Sequence, residues 1–227
     1  MSEVVASAPA PMALVGPTLP ELLTHGQQMA SAAPEPSQAL AALLADEQLL
    51  RTASTQQVNF RPALFWQDDE PAIWPRTVNL IQGQTGVHKS RVAELFGSAL
   101  LATLAGRPAP AAMLGLGFRP EPGECYRLLY VDTERNLTDQ FPYALQQLKL
   151  RAGYDITQHP PEFYYTSLVR APRAERFARL AEYLAYYRRG FKGHVIVILD
   201  VLSDCVADYN DVGASLGLID LLNVAVN

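Results

Sequence analysis

Residues 61–227 are predicted to form an α/β domain, with a mostly parallel sheet flanked by helices. The first observation is alternation: short apolar runs alternate with longer amphipathic stretches of helical period, as in successive βαβ units. The second is the run HVIVILD (194–200), which is apolar almost throughout and typical of a strand buried on both faces of a parallel sheet. With 227 residues and 49% hydrophobic content, the chain can form one such domain and an extension.

The extension is residues 1–60, an Ala/Pro-rich leader with one or two short predicted helices. The stretch LPELLTHGQQMA gives the first helix. Ser37 is a candidate N-cap for the second, QALAALLADEQLLR, whose leucines fall near one helical face. The leader lacks the basic start of a signal peptide, and prolines interrupt its apolar stretch.

The elements of the domain follow from about residue 62. ALFW and TVNLIQ are predicted strands, and QDDEPAIWP is an acidic turn between them. A helix follows the next loop, because Val92, Leu95, Phe96 and Ala99 recur at helical spacing, and Gly106 ends it. The remaining elements are a Pro/Gly-rich loop, the strand YRLLYVD, a helix over 138–152, the strand EFYYTS, the helix RAERFARLAEYLAYYRR, the strand HVIVILD and a helix over 212–226.

The charge of the chain is unevenly distributed. No Lys or Arg precedes Arg51, whereas five of the 23 acids do, so the rest of the chain has 18 bases and 23 − 5 = 18 acids. This balance does not predict a strongly basic nucleic-acid face, but DNA stays open as a partner through a locally basic channel. The arginines around RAERFARLAEYLAYYRR alternate with acids and are interpreted as a solvated helix face, with nucleic-acid contact as the alternative.

Cysteine, histidine and apolar patterns exclude several classes of site. Cys125 and Cys205 are far apart and form no CxxC pair, so neither a zinc knuckle nor a disulfide framework is predicted. The four histidines lack metal-ligand spacing. Because no apolar run is long enough to span a bilayer, no membrane association is predicted and the cytoplasm is the expected location.

The stretch GQTGVHKS lies between a predicted strand and a predicted helix, which is the context of a phosphate-binding loop. Such a loop turns backbone N–H groups toward phosphate, and the helix N-terminus adds partial positive charge. The alternative is a glycine-containing turn that binds nothing. The candidate nucleotide-binding residues are Gly83, Gln84, Thr85, Gly86, Val87, His88, Lys89 and Ser90.

Individual roles follow from the chemistry of these residues. Gly83 and Gly86 permit a tight backbone. Lys89 would reach the β- and γ-phosphates, and Ser90 would bind Mg²⁺. His88 stands where the pattern has glycine, and its Cβ is expected to crowd the closest approach to phosphate, although its imidazole could itself contact phosphate.

Two carboxylates at strand ends complete the candidate site. Asp200 ends HVIVILD and would hold Mg²⁺ through water opposite Ser90; the alternative is a buried strand that merely ends in Asp. Glu134 follows the strand in LLYVDTER and could orient and deprotonate an attacking water. The alternative for Glu134 is an exposed side chain paired with Arg135. Asp204 and its acidic neighbours are interpreted mainly as loop and capping residues.

With these motifs in order, the chain resembles the RecA-fold P-loop ATPases over roughly residues 60–227. The closest likeness is to the branch of RepA-type hexameric helicases and the bacterial "AAA family ATPase" proteins of plasmids and mobile elements. The residues that carry it are DEP around Glu70, GQTGVHKSRVAELF, YVDTER and VIVILDVLSD.

The resemblance implies ATP and Mg²⁺ as cofactors, with Lys89 and Ser90 on phosphate and metal. Glu134 and Lys89 would be catalytic, and Asp200 would be the acid on the metal side. It also implies a homo-oligomeric ring or filament, whose site is completed by an arginine of the next subunit, and a link to DNA replication or mobilisation.

Two departures from the family pattern stand out. His88 replaces a glycine, and the chain ends 227 − 200 = 27 residues after Asp200, where the family has further strands. The expectation is therefore a C-terminally truncated ATPase, with a sheet that exposes unpaired backbone along two strands. The first functional hypothesis is an ATP hydrolase of helicase type. The alternatives are a nucleotide-binding regulatory or assembly module without appreciable hydrolysis, or an inactive fragment of the ATPase.

Overall fold

The computed structural model describes residues 37–84, 87–108, 113–205 and 212–226, in two units, residues 1–59 and 60–227. In the first unit, helix α1 spans Gln38–Ser54. The Ser37 hydroxyl accepts a hydrogen bond from the Leu40 N–H at 3.3 Å, which confirms the expected cap. The rest of the leader, LPELLTHGQQMA included, lies outside the described residues.

The second unit contains two three-stranded sheets and four α-helices among its described residues. In chain order its elements are β1 (Phe65–Gln67), β2 (Glu70–Ile73), α2 (Lys89–Leu104), β3 (Leu116–Phe118), β4 (Tyr126–Asp132), α3 (Gln140–Arg151), β5 (Phe163–Ser167), α4 (Arg173–Arg188), β6 (His194–Asp200), a 3₁₀ helix (Leu202–Cys205) and α5 (Val212–Val226).

The larger sheet is parallel and has the order β5–β4–β6. In its register, Asp132 lies beside Ser167 on one side and beside Asp200 on the other. The carboxyl ends of all three strands therefore meet at one edge. This arrangement confirms the predicted α/β class with a parallel sheet flanked by helices.

Helices cover both faces of the parallel sheet. One core joins Leu128, Tyr130 and Ile198 of the sheet to residues of α2 and α3. The other joins Val131 and Leu199 of the sheet to residues of α4 and α5. Because these residues alternate along each strand, the strands are apolar on both faces. The run HVIVILD was predicted to be buried on both faces, and this is wrong in part: Ile198 and Asp200 are buried, but Val197 is 40% exposed.

Gly97 lets α2 approach the sheet closely. A Cβ at this position would lie 3.0 Å from Leu148 and 3.1 Å from Leu128 and from Ile198. Side chains in such a packed interior leave little room for an added methyl group. Gly97 therefore allows the middle of α2 to pack directly against β4, β6 and α3.

The smaller sheet is antiparallel, with the order β2–β1–β3. ALFW was predicted as a strand and β1 confirms it, with a shift of two residues at its start. The sequence did not predict β2, which lies in the expected acidic turn, or β3, which lies in the Pro/Gly-rich loop. Both are too short, and too rich in Pro or Gly, to give an alternating apolar pattern.

The predicted strand TVNLIQ is wrong: residues 77–82 form no strand. Its apolar side chains are exposed, with Val78 at 43%, Leu80 at 55% and Ile81 at 40%. A strand forms only where a neighbouring edge accepts its backbone hydrogen bonds. Within the described ranges β6 pairs with β4 alone, so β6 offers residues 77–82 no ladder of backbone hydrogen bonds.

Among the described residues, no helix has the length and apolar character needed to cross a membrane.

Candidate functional site

The candidate residues meet at the carboxyl edge of the parallel sheet, where β4 and β6 end and α2 begins. This edge forms part of a cleft of about 1950 Å³, which runs along β6 from His194 to Asp200 and is also lined by α2, α4, α5 and residues 76–83. The predicted site residues that line it are Gly83, His88, Lys89, Ser90, Glu134 and Asp200. Gln84 and Val87 are described and exposed, whereas Thr85 and Gly86 lie outside the described residues.

Ser90 and Asp200 are in direct contact although 110 positions separate them. The Ser90 hydroxyl, in the first turn of α2, donates to Asp200 Oδ1 at 2.8 Å. A hydroxyl and a carboxylate oxygen are ligands that suit Mg²⁺, which keeps several waters and takes few protein ligands when phosphates supply others. The described residues include no group of three or more His, Cys, Asp or Glu that could hold a metal ion without further ligands. The pair therefore fits Mg²⁺.

Lys89 is the first residue of α2, and its side chain turns back toward the preceding loop. Its ammonium donates to the carbonyl of Gly83 at 2.9 Å and to that of Gln84 at 2.8 Å. A Cβ on Gly83 would come within 2.9 Å of Val87 Cγ2, so a glycine is needed for this close approach. The described part of the loop thus holds the Lys89 ammonium through two backbone carbonyls.

His88 adopts a left-handed conformation, with φ 60° and ψ 30°, immediately before α2. Its side chain forms no capping hydrogen bond with the helix N-terminus. The left-handed region is costly for a residue with a Cβ and free of that cost for glycine. Replacing the pattern's glycine by histidine therefore adds backbone strain, beyond the crowding of phosphate that the sequence predicted.

His88→Gly is expected to stabilise the domain by about 0.5–1 kcal/mol. The change would relieve roughly 1–2 kcal/mol of strain in the left-handed conformation. It would also cost roughly 0.5–1 kcal/mol, because glycine has more conformational freedom in the unfolded chain. Urea unfolding measures the change. His88→Ala is the matched control, because it keeps the Cβ and hence the strain; an equal gain from alanine would place the cause in the imidazole.

Glu134 lies in a turn that its neighbours fix firmly. The Asp132 carboxylate accepts the backbone N–H of Glu134 at 3.1 Å and that of Arg135 at 2.7 Å. The Thr133 hydroxyl lies 2.9 Å from the carbonyls of both Asp200 and Val201, which ties the turn to the end of β6. Glu134 itself is exposed and faces the cleft.

The electrostatics of the site raise the pKa of Glu134. Partial burial is the largest cause, and the carboxylates of Asp204, Asp200 and Asp132 raise it further, against a lowering by Arg173. A carboxyl group with a raised pKa is a stronger base once it is ionised. This environment suits the predicted proton-accepting role.

Sequence reasoning missed a buried polar cluster centred on Arg135. Its guanidinium contacts Asp132 Oδ2 at 2.6 Å, Glu94 Oε1 at 3.0 Å and Asp200 Oδ2 at 2.7 Å, and it also donates to the Tyr130 hydroxyl. The suggested pairing of Glu134 with Arg135 is therefore wrong in this structure, where Arg135 binds the three other acids. The one sequence feature that could have indicated this cluster is Glu94, a charged residue on the otherwise apolar face of α2.

Arg176 also departs from the predicted solvated helix face. It is buried, and it donates to the carbonyls of Thr133 at 3.1 Å and Ala171 at 3.0 Å. It also pairs with Asp204 at 3.3 Å, and the exposed Arg173 pairs with the same acid at 2.9 Å. Arg176 thus supports the turn that carries Glu134, and Asp204 acts on the site through charge.

A scan against protein-family models, a search of curated proteins and a search of solved structures each found no match.

Proposed function

We propose that this chain is a RecA-like P-loop ATPase of the RepA helicase type, which binds ATP with Mg²⁺ and hydrolyses it. The observation that carries the proposal is the 2.8 Å contact between Ser90 and Asp200, beside Lys89 at the N-terminus of a 16-residue helix. An unrelated strand-to-helix turn has no reason to place its serine on the terminal acid of a distant strand. A phosphate and metal site requires this arrangement.

Each residue has a distinct role in the proposed reaction. Lys89 and the first backbone N–H groups of α2 bind the phosphates, which places ATP against the sheet edge. Ser90 and Asp200 would hold Mg²⁺, and the chemistry that the ion would supply is neutralisation of phosphate charge. Glu134 accepts the proton of the attacking water. The hydrogen bonds that Asp132 accepts and Thr133 donates keep its turn in place, which reduces the ordering cost of the reaction.

The proposal extends to assembly and to DNA. The motif series that resembles the hexameric helicases supports a homo-oligomeric ring or filament acting in replication or mobilisation. The domain itself is close to neutral, so any DNA contact would come from a local group of bases.

A second candidate function is nucleotide binding that regulates assembly without appreciable turnover. The exposed, irregular segment 77–82 favours it, because this segment leads directly into the phosphate loop. Hydrolysis requires a water and a phosphate to be held within a fraction of an ångström, whereas binding tolerates a looser loop.

Calorimetric titration with ATP and Mg²⁺, followed by phosphate-release assays with and without single-stranded DNA, tests the proposal. Binding with turnover supports the ATPase. Binding without turnover under either condition favours the regulatory module. No binding at millimolar ATP would contradict both functions.

The pH dependence of the reaction is expected to follow Glu134. The base must be ionised, so kcat/KM should fall as the pH drops through a pKa that lies above the ordinary value for glutamate. Asp204→Asn removes the largest of the neighbouring charges that raise this pKa and should move the acidic limb to lower pH. Glu182→Gln, a change on the exposed face of α4, is the control and should leave the profile in place. If Asp204→Asn does not change the pH at which kcat/KM falls, the base is a group other than Glu134.

A further inference from the structure

Arg135 reaches three buried or nearly buried carboxylates with one guanidinium. Glu94 and Asp132 are each 1% exposed, and Asp200 is 10% exposed at its side chain. The second oxygen of Glu94 is held by Arg151 at 3.2 Å and lies 3.6 Å from Arg91. Arg135 is therefore the only cation of the described residues that forms an ion pair with Asp132 or Asp200.

The two oxygens of Asp200 have different partners. Oδ2 accepts from Arg135 at 2.7 Å and from the Tyr130 hydroxyl at 3.3 Å. Oδ1 accepts from Ser90 at 2.8 Å. Rotation of the carboxylate would break the charge-assisted hydrogen bond to Arg135, which is of the stronger kind. The contacts on Oδ2 thus keep Oδ1 directed at Ser90.

We propose that Arg135 is a positioning residue that fixes Asp200 so that Oδ1 serves the metal next to Ser90. The inference rests on the proposed function and adds to it the residue that prepares the metal side of the site. Arg135 has no hydrogen bond to Lys89 or to residues 83 and 84, the predicted phosphate side of the loop. Its loss should therefore weaken binding of the metal–nucleotide complex and spare binding of metal-free nucleotide.

The primary experiment measures the Kd of ATP with EDTA and again with excess Mg²⁺, and divides the first Kd by the second, so that a larger ratio means a larger gain from the metal. For Arg135→Gln the ratio is expected to fall at least about tenfold, because the loss is confined to the Mg²⁺ arm. Arg135→Lys keeps the charge but not the planar fork, so it should recover only part of the ratio. Arg179→Gln, which removes an exposed pair with Glu175, is the control and should match wild type.

An unchanged ratio would overturn the inference, whether neither arm changes or both weaken equally, as a general loss of structure would produce. If Arg135→Gln does not fold, Tyr130→Phe takes its place, because it removes a second contact of Oδ2 while the buried ring stays. A ratio unchanged in both Tyr130→Phe and Arg135→Lys contradicts the assigned role equally.

A second measurement needs no nucleotide and separates this inference from the proposed function. Thermal unfolding is followed for Ser90→Ala, Arg135→Gln (or Tyr130→Phe) and the double variant. If Arg135 holds Asp200 toward Ser90, the Tm shifts should be clearly non-additive, because the serine contact is already lost in the second background. Additive shifts would overturn the positioning role. If wild type does not bind ATP but the Tm shifts are non-additive, the ATPase proposal is contradicted and the positioning role of Arg135 toward Asp200 is kept.

Discussion

Glu134→Gln is expected to bind ATP as wild type does and to hydrolyse it at least about 100-fold more slowly. The amide keeps the size and hydrogen-bonding capacity of the side chain but cannot accept the proton of the attacking water. The turn should keep its shape, because Asp132, Thr133 and Arg176 hold it through backbone groups and not through the Glu134 side chain. Steady-state phosphate release gives the rate, and calorimetry gives the affinity.

Glu182→Gln is the matched control, since it makes the same chemical change on an exposed helix face. Turnover retained in Glu134→Gln would assign the proton-accepting role elsewhere. Loss of ATP affinity together with turnover would indicate that Glu134 contributes to binding. Only loss of turnover with intact binding supports the role proposed here.

The pairing of Ser90 with Asp200 could be anticipated from the sequence because both residues belong to ordered motifs. The acid ends a strand of the parallel sheet, and the serine follows the lysine at the start of a helix. The order of the motifs predicted the pairing, although residues 77–82 form no strand directly before α2. The class of fold followed from the alternation of strand and helix patterns.

The Arg135 cluster could not be anticipated because it depends on register. Arg135 meets Asp200 because Asp132 and Asp200 are direct partners in the sheet, and it meets Glu94 because of how α2 is rotated over that edge. A shift of one residue in the register of β4 and β6, or in the rotation of α2, would turn one of these side chains away from Arg135. No local pattern in the sequence fixes such offsets.

The failed strand prediction at residues 77–82 has a related cause. Alternating apolar residues give a segment the capacity to pair but do not supply the neighbouring edge. Its partner must come from elsewhere, and β6 offers the described segment no hydrogen bonds. The site therefore has two parts: a fixed one, made by β4, β6 and α2, and the segment before the phosphate loop, which no ladder holds.

Lys89 lies where these two parts join, and Lys89→Ala is expected to weaken ATP binding by roughly 30- to 1000-fold, about 2–4 kcal/mol for a lost charge-assisted contact with phosphate. The residue belongs to the first turn of the fixed helix, while its ammonium bonds the carbonyls of Gly83 and Gln84 in the loop. Alanine would remove both the charge on phosphate and this link.

Lys89→Met tests whether the loss of affinity comes from the ammonium group. Methionine keeps the length and apolar packing of the side chain but removes both the charge and the bonds to the loop carbonyls. Both variants should lose affinity by calorimetric titration and keep cooperative unfolding, because the Lys89 ammonium bonds only loop carbonyls at the surface. Lys192→Ala is the matched control: Lys192 lines the far end of the same cleft, and its loss should leave the Kd unchanged. Equal weakening by Lys89→Ala and Lys192→Ala would mean that the cleft attracts ATP through general charge. An unchanged affinity in Lys89→Ala would remove the phosphate loop from the proposed mechanism, because the contact between Ser90 and Asp200 supplies no positive charge to bind phosphate on its own.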